Sequence, residues 1–412
     1  MAIDMNSSSR PSVSATICRE PYRLFFPLGI FMAIIGTSHW LFYALGFMEH
    51  YSGFFHSSVQ TLTYMNCFII GFLLTAMPRF SGSPQATPSE VCFFVFFMLG
   101  ILIFLGLKQW VIAEGLYIVW LLGLVRFAVS RVKKKTADAS AGNAPQEMIW
   151  IPLGVVIGIF GTILLILGQL KVFSPWAILV GKPMMEQGFL LSVVLGIGGF
   201  LVPRLMGTYQ PVQDPQRVRG HLIAGGLLFL SFWIEGLGQD VLGYGLRAAV
   251  ITAELTWARA WPLWPRSSDL YVRLVYCSVW MIVIGFWLSA FFPAYRIAAL
   301  HIAYIGGFSL LTFAIGTMVV LSHAGEGEKL HGPLWILWIV VLGIAMALFK
   351  RAAVVFAPDA YFRFLGMSAT FWLIAGGSWL IFILPRIFKV PTEDEFGRMH
   401  EKAKERRSMR KN

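Results

Sequence analysis

Long apolar stretches separated by short polar ones recur along the whole chain. A bilayer core asks for about 20 apolar residues per helix. Stretches of that kind fall at 24–47, 57–77, 90–107, 110–130, 148–170, 184–203, 220–237, 241–258, 271–292, 297–321, 333–356 and 361–384. The pattern predicts an all-α, polytopic bundle of about twelve transmembrane helices within 22–390. It is flanked by an N-terminal segment, 1–21, and a basic tail, 391–412. The eighth stretch is the weak one, because Arg247 and Glu254 interrupt it. Without it, every later helix would point the other way.

The cations provide an independent test of that helix. With twelve spans and a cytoplasmic N-terminus, only Lys108, Lys171, Lys182, Arg247, Arg296, Lys350, Arg351 and Arg363 of the 33 Lys and Arg residues fall on the outer side. Such a bias is what the positive-inside rule expects. Omitting the eighth span would carry the basic tail outside. The sequence therefore reads as twelve spans with both termini in the cytoplasm.

Composition agrees. Hydrophobic residues make up 57% of the 412 and charged ones 13%, against roughly 25% charged in soluble domains. Mean hydropathy is +0.70. A net charge of +12 and a pI near 9.7 would suggest nucleic acid in a soluble protein. Here the cations sit in loops and ends, where they orient the chain and meet anionic lipid, so the partner is the bilayer and not a nucleic acid. Cys18, Cys67, Cys92 and Cys277 form no CxxC and indicate neither a disulfide framework nor a zinc or iron–sulfur site. The polar first twenty residues predict no cleaved signal peptide. The loop 131–147 is expected to be mobile. The tail after Pro391 reads as a solvated or lipid-surface segment. Gly154-x-x-x-Gly158 and paired glycines such as Gly306–Gly307 supply small faces for close helix packing, and Gly181-Lys182-Pro183 is no phosphate loop.

Ionisable residues inside spans are costly and therefore the place to look for chemistry. His50 and His400 read as solvated. His221, His323 and His331 fall at the inner edges of helices, and His39, His56 and His301 at or near outer ends. His301 and His323 bracket one helix, about 33 Å apart at 1.5 Å per residue, so they cannot share a metal. His56 and His301 stand on different helices at similar depth, as the two axial ligands of a haem would, neutral imidazoles giving both iron bonds. Arg296, five residues before His301, is then the candidate for a haem propionate, with Lys182 a second option, and His39 an alternate ligand or distal donor. The plainer reading is that each histidine caps a helix or bonds a neighbour. The outer carboxylates Glu49, Glu114, Glu186, Glu235 and Asp240 mark either a proton-entry or metal region or ordinary pairing with Lys182, Arg247 or water. Arg126 and Arg204 read as topological anchors, and Trp residues near helix ends as an aromatic belt.

Segment 71–82, GFLLTAMPRFSG, resembles the signature of the NnrS family, where a helix ends in GFLLTA, a proline, an aromatic and a Thr-Gly turn. In that family a His-x-His pair precedes the segment; His56 falls on the first histidine and Ser58 replaces the second. Block 300–325, LHIAYIGGFSLLTFAIGTMVVLSHAG, is similar to the family's late helix, with His301 and His323 on its two histidines. Gly198 to Pro203 resembles its mid-chain Gly-rich helix, and the layout of twelve spans agrees. The resemblance implies a haem- and copper-containing protein of the bacterial inner membrane tied to nitric-oxide metabolism or denitrification. It places haem b, and copper, at His56, His301 and His323. Ser58 removes one donor from a copper site, and Ala324 and Glu326 stand where the family has Thr and Arg.

There is a looser resemblance to the core subunit of haem–copper oxidases, which has twelve helices and a low-spin haem held by histidines of helices two and ten near the outer face. Its copper and second-haem histidines have no counterpart here, so oxygen reduction by that machinery is not expected. The expectation is therefore electron transfer or nitric-oxide handling at an outer haem. The alternatives are a proton-coupled transporter, or an accessory or assembly subunit working with respiratory-complex subunits.

Overall fold

The computed structural model describes residues 12–133, 145–209, 214–257, 265 and 267–389. Part of the loop 131–147, the N-terminal 1–11 and the tail 391–412 lie outside the described residues. A short helix, Val13–Arg19, comes first. Then follow α1 (Tyr22–Ala44), α2 (Gly53–Arg79), α3 (Pro88–Gly106), α4 (Trp110–Val132), α5 (Gln146–Gln169), α6 (Trp176–Leu205), α7 (Pro215–Gly236), α8 (Asp240–Trp257), α9 (Leu270–Phe291), α10 (Pro293–His323), α11 (Trp335–Ala353) and α12 (Pro358–Ile387). All but α8 are long and apolar enough to cross a membrane. The protein is an all-α, multi-pass membrane bundle.

Local chemistry fixes the ends of these helices. Before α3, Thr87 accepts from the Glu90 amide while the Glu90 carboxylate accepts the Thr87 amide at 2.8 Å, and Pro88 takes the first position. Glu90 also accepts from Arg131 at 2.6 Å, tying the far end of α4 to the start of α3. Asp214 caps α7 ahead of Pro215. Gly82, at φ 61°, closes α2 in the left-handed region.

Sequential helices pack side by side, and α12 returns against α1. At the α5–α6 contact a Cβ on Gly161 would lie 2.3 Å from Met184 Cβ, and one on Gly181 would lie 2.6 Å from the Gly161 carbonyl oxygen. Only glycines let the two backbones approach so closely. The peripheral helices turn Phe96, Ile103, Leu122, Ile223, Leu342 and Ile381 outward. So much exposed apolar surface suits lipid, not water.

The eighth helix keeps its charged residues inside the bundle. Arg247 is fully buried. It donates to Glu235 and to Gln187, both at 2.6 Å, with the Phe232 ring 3.9 Å from its guanidinium. Glu254 accepts from Trp150 Nε1 at 3.0 Å and from His221 Nδ1 at 2.6 Å. Both charges that weaken the hydropathy signal face the protein interior and find partners there.

Helices α2 and α6 are the most enclosed, followed by α9 and α10. All four π-helical segments among the described residues lie on α2, α6 and α10: Val59–Met65, Met184–Gly188, Val194–Gly198 and Ile302–Ser309. Widened turns of this kind cost hydrogen-bond geometry and gather at functional places.

Candidate functional site

His56 and His301 stand in corresponding positions on two central helices. His56 precedes the π segment Val59–Met65 by three residues, and His301 precedes Ile302–Ser309 by one. His56 Nδ1 lies 2.9 Å from the Gly36 carbonyl oxygen on α1, and His301 Nδ1 lies 2.6 Å from the Ile297 carbonyl oxygen one turn back. A carbonyl can only accept, so each ring donates Nδ1–H and keeps a lone pair on Nε2. That tautomer and orientation suit a metal ligand. Both rings are half-buried. The two imidazoles lie close enough to feel each other electrostatically, and both feel Arg351.

Arg351, near the outer end of α11, is the residue that the sequence reading missed. It is 6% exposed, and its Nε has no hydrogen-bond partner. No carboxylate pairs with its guanidinium among the described residues. Lys350–Arg351 looks in sequence like a surface pair at a helix end. Successive helical residues point about 100° apart, and the bundle buries the second while the first lies over Phe349 and Phe364.

Two of the expected residues have protein partners. Arg296, expected beside a propionate, reaches Asp240 at 3.0 Å with 46% of its side chain exposed. It is an outer-surface ion pair, because the first turn of α10 directs it toward the start of α8. His39, expected as an alternate ligand, accepts the Ser52 amide on Nε2 at 2.6 Å. Its lone pair helps hold the turn between α1 and α2.

The outer carboxylates find protein partners. Lys182 sits 2.7 Å from Glu186 and also reaches Ser57. Glu114 accepts from Gln169 at 2.7 Å, and Glu235 from Arg247. Ser58, which stands where the family has its second histidine, is fully buried with its hydroxyl unpartnered.

His323 belongs to a different constellation, at the other end of α10. Its Nε2 accepts from Arg79 at 2.8 Å, and its Nδ1 lies 3.6 Å from Glu20. Glu20 also holds Arg23 at 2.6 Å and Arg79 at 2.9 Å. Burial pushes the Glu20 carboxyl up, but His323, Arg23 and Arg79 outweigh it and hold the carboxyl below its ordinary value. Arg23 donates to the carbonyls of Ile387, Lys389 and His323, closing the inner ends of α12 and α10. Among the described residues no group of three or more His, Cys, Asp or Glu side chains gathers as metal donors.

The fold is that of a multi-pass membrane bundle, in which two histidines on α2 and α10 each hold a backbone carbonyl through Nδ1. The chain belongs to the NnrS family, whose model, described as NnrS protein, matches residues 16–390. At the level of the family it is a nitric-oxide-associated membrane protein. No curated protein matches the chain.

Proposed function

We propose that the protein holds a haem b between the outer halves of α2 and α10, in a bacterial inner membrane with both termini cytoplasmic, and uses it to transfer electrons or handle nitric oxide. The observation that carries this reading is the matched pair of Nδ1–carbonyl bonds at His56 and His301, which leaves a lone pair on each Nε2. Arg351, buried and without a carboxylate partner among the described residues, would hold a propionate. Haem iron would supply one-electron chemistry there and, where an axial position is open, a place for nitric oxide. The chain's own contribution is to fix the ring tautomers, neutralise the carboxylates and exclude water. With Ser58 in place of a histidine, we assign haem without copper.

The test is a reduced-minus-oxidised optical spectrum with metal analysis of purified protein. Low-spin haem is expected. It should be lost in His56→Ala and in His301→Ala and kept in His50→Ala. Protein made in haem-replete cells that shows no haem absorption would overturn the reading.

One observation favours a second reading, a proton-coupled carrier. His221 and Glu254 form a buried imidazole–carboxylate pair on the inner side, and His221 Nε2 has no partner. Proton release coupled to substrate movement, lost in Glu254→Gln, would support it.

A further inference from the structure

Where α2, α6 and α10 meet α1, farther along the helices from the histidine pair, lies a partly open apolar cavity of about 100 Å³. Phe26, Met65, Phe68, Leu190, Gly198 and Leu311 are among its wall. No imidazole, carboxylate or cation lines it. Its one side-chain hydroxyl, on Thr312, is already engaged: it donates to the Ser309 carbonyl at 2.7 Å and bonds the Tyr64 hydroxyl at 2.8 Å. A water needs two to four polar partners, and apolar cavities of this order stay dry and take xenon or small apolar guests.

The cavity follows from the backbone path. Met65 ends one π segment, Gly198 ends another, and Phe308 lies in a third; all three residues line the space. Three widened turns opening on one point hold these helices apart at mid-depth. By helical rise the cavity begins about 10–14 Å from His56 and His301 along the same two helices.

We propose that this cavity is a docking chamber for a small uncharged gas, of the class of nitric oxide and dioxygen, that enters from the lipid. The space is too small for a porphyrin and offers an ion nothing. An uncharged diatomic gas dissolves in hydrocarbon and needs only apolar contact. The choice of nitric oxide as the natural guest rests on the function proposed above. Affinity for an apolar gas does not rest on it, so the two can fail separately.

The test uses crystals of the full-length protein under xenon pressure, with or without haem. Xenon is expected beside Met65, Gly198 and Leu311. Gly198→Leu fills the space from α6: a Cβ there meets nothing nearer than Val194 Cγ1 at 3.8 Å, so the backbone need not move. Gly316 is unsuitable, since a Cβ there would lie 2.8 Å from the Trp379 ring. Leu311→Phe fills the space from α10 and covers the case in which the first variant does not fold. Loss of bound xenon in whichever variant folds, with its melting temperature kept, supports the chamber. Wild-type crystals without xenon there, xenon persisting in a filled variant, or an ordered lipid acyl chain in the space would each overturn it.

Discussion

His56 donates its Nδ1–H across the α1–α2 interface to the Gly36 carbonyl, 2.9 Å away. The bond depends on close approach. A Cβ on Gly36 would lie 2.8 Å from Val59 Cγ1 and 2.9 Å from Gln60 Nε2. Gly36→Val must therefore push α1 from α2, at a cost of roughly 1–3 kcal/mol for overpacking. The expected outcome is a lower melting temperature in detergent together with loss of haem. Gly106→Ala, where an added Cβ has nothing within 4 Å, should keep its haem.

Arg351 is the buried cation nearest in effect to both imidazoles. A hydrogen bond to a charged group is worth about 1.5–3 kcal/mol, so Arg351→Gln should weaken haem retention on the order of tenfold to a hundredfold. With one positive charge gone, the midpoint potential should fall as well. Haem-transfer kinetics and a redox titration check both. Arg296→Gln, which breaks only the surface pair with Asp240, should change neither.

In α8, Arg247 satisfies Glu235 and Gln187 at once. Removing one partner of a buried pair strands the other, at about 3–5 kcal/mol. Arg247→Ala should therefore destabilise far more than the double change Arg247→Met with Glu235→Gln. Thermal unfolding of the three proteins in the same detergent measures the difference.

The end of the bundle that carries Glu20 and Glu326 is the acid-sensitive one. Burial raises the Glu326 carboxyl, but hydrogen bonds from Lys329, Lys389 and Arg386 outweigh it and bring the carboxyl from 4.5 to about 2. Glu20 is likewise held below its ordinary value. A carboxyl lowered on folding stabilises the fold fully above its unfolded value, and that contribution fades as pH falls toward the folded one. Wild-type stability should thus decline from about pH 5 toward pH 2. Glu326→Gln should be less stable at neutral pH and show a shallower acid decline. Melting curves across that range decide it.

The sequence by itself determined the solvent, the all-α bundle and the family. Apolar runs of bilayer length permit no other environment, and the distribution of cations required the eighth helix although Arg247 and Glu254 weaken its hydropathy. It also singled out His56 and His301, because an imidazole in an apolar run is costly wherever the helix points. Tertiary structure decided what those groups do. Which ring nitrogen stays free depends on a carbonyl of another helix for His56, and no local pattern encodes that. Arg296 and Arg351 look alike as outer cations, yet one rests on Asp240 at the surface and the other is enclosed without a partner, because only packing sets the direction of each side chain. The π turns leave no periodic mark in the sequence, so the cavity they open appears only when α2, α6 and α10 are brought together.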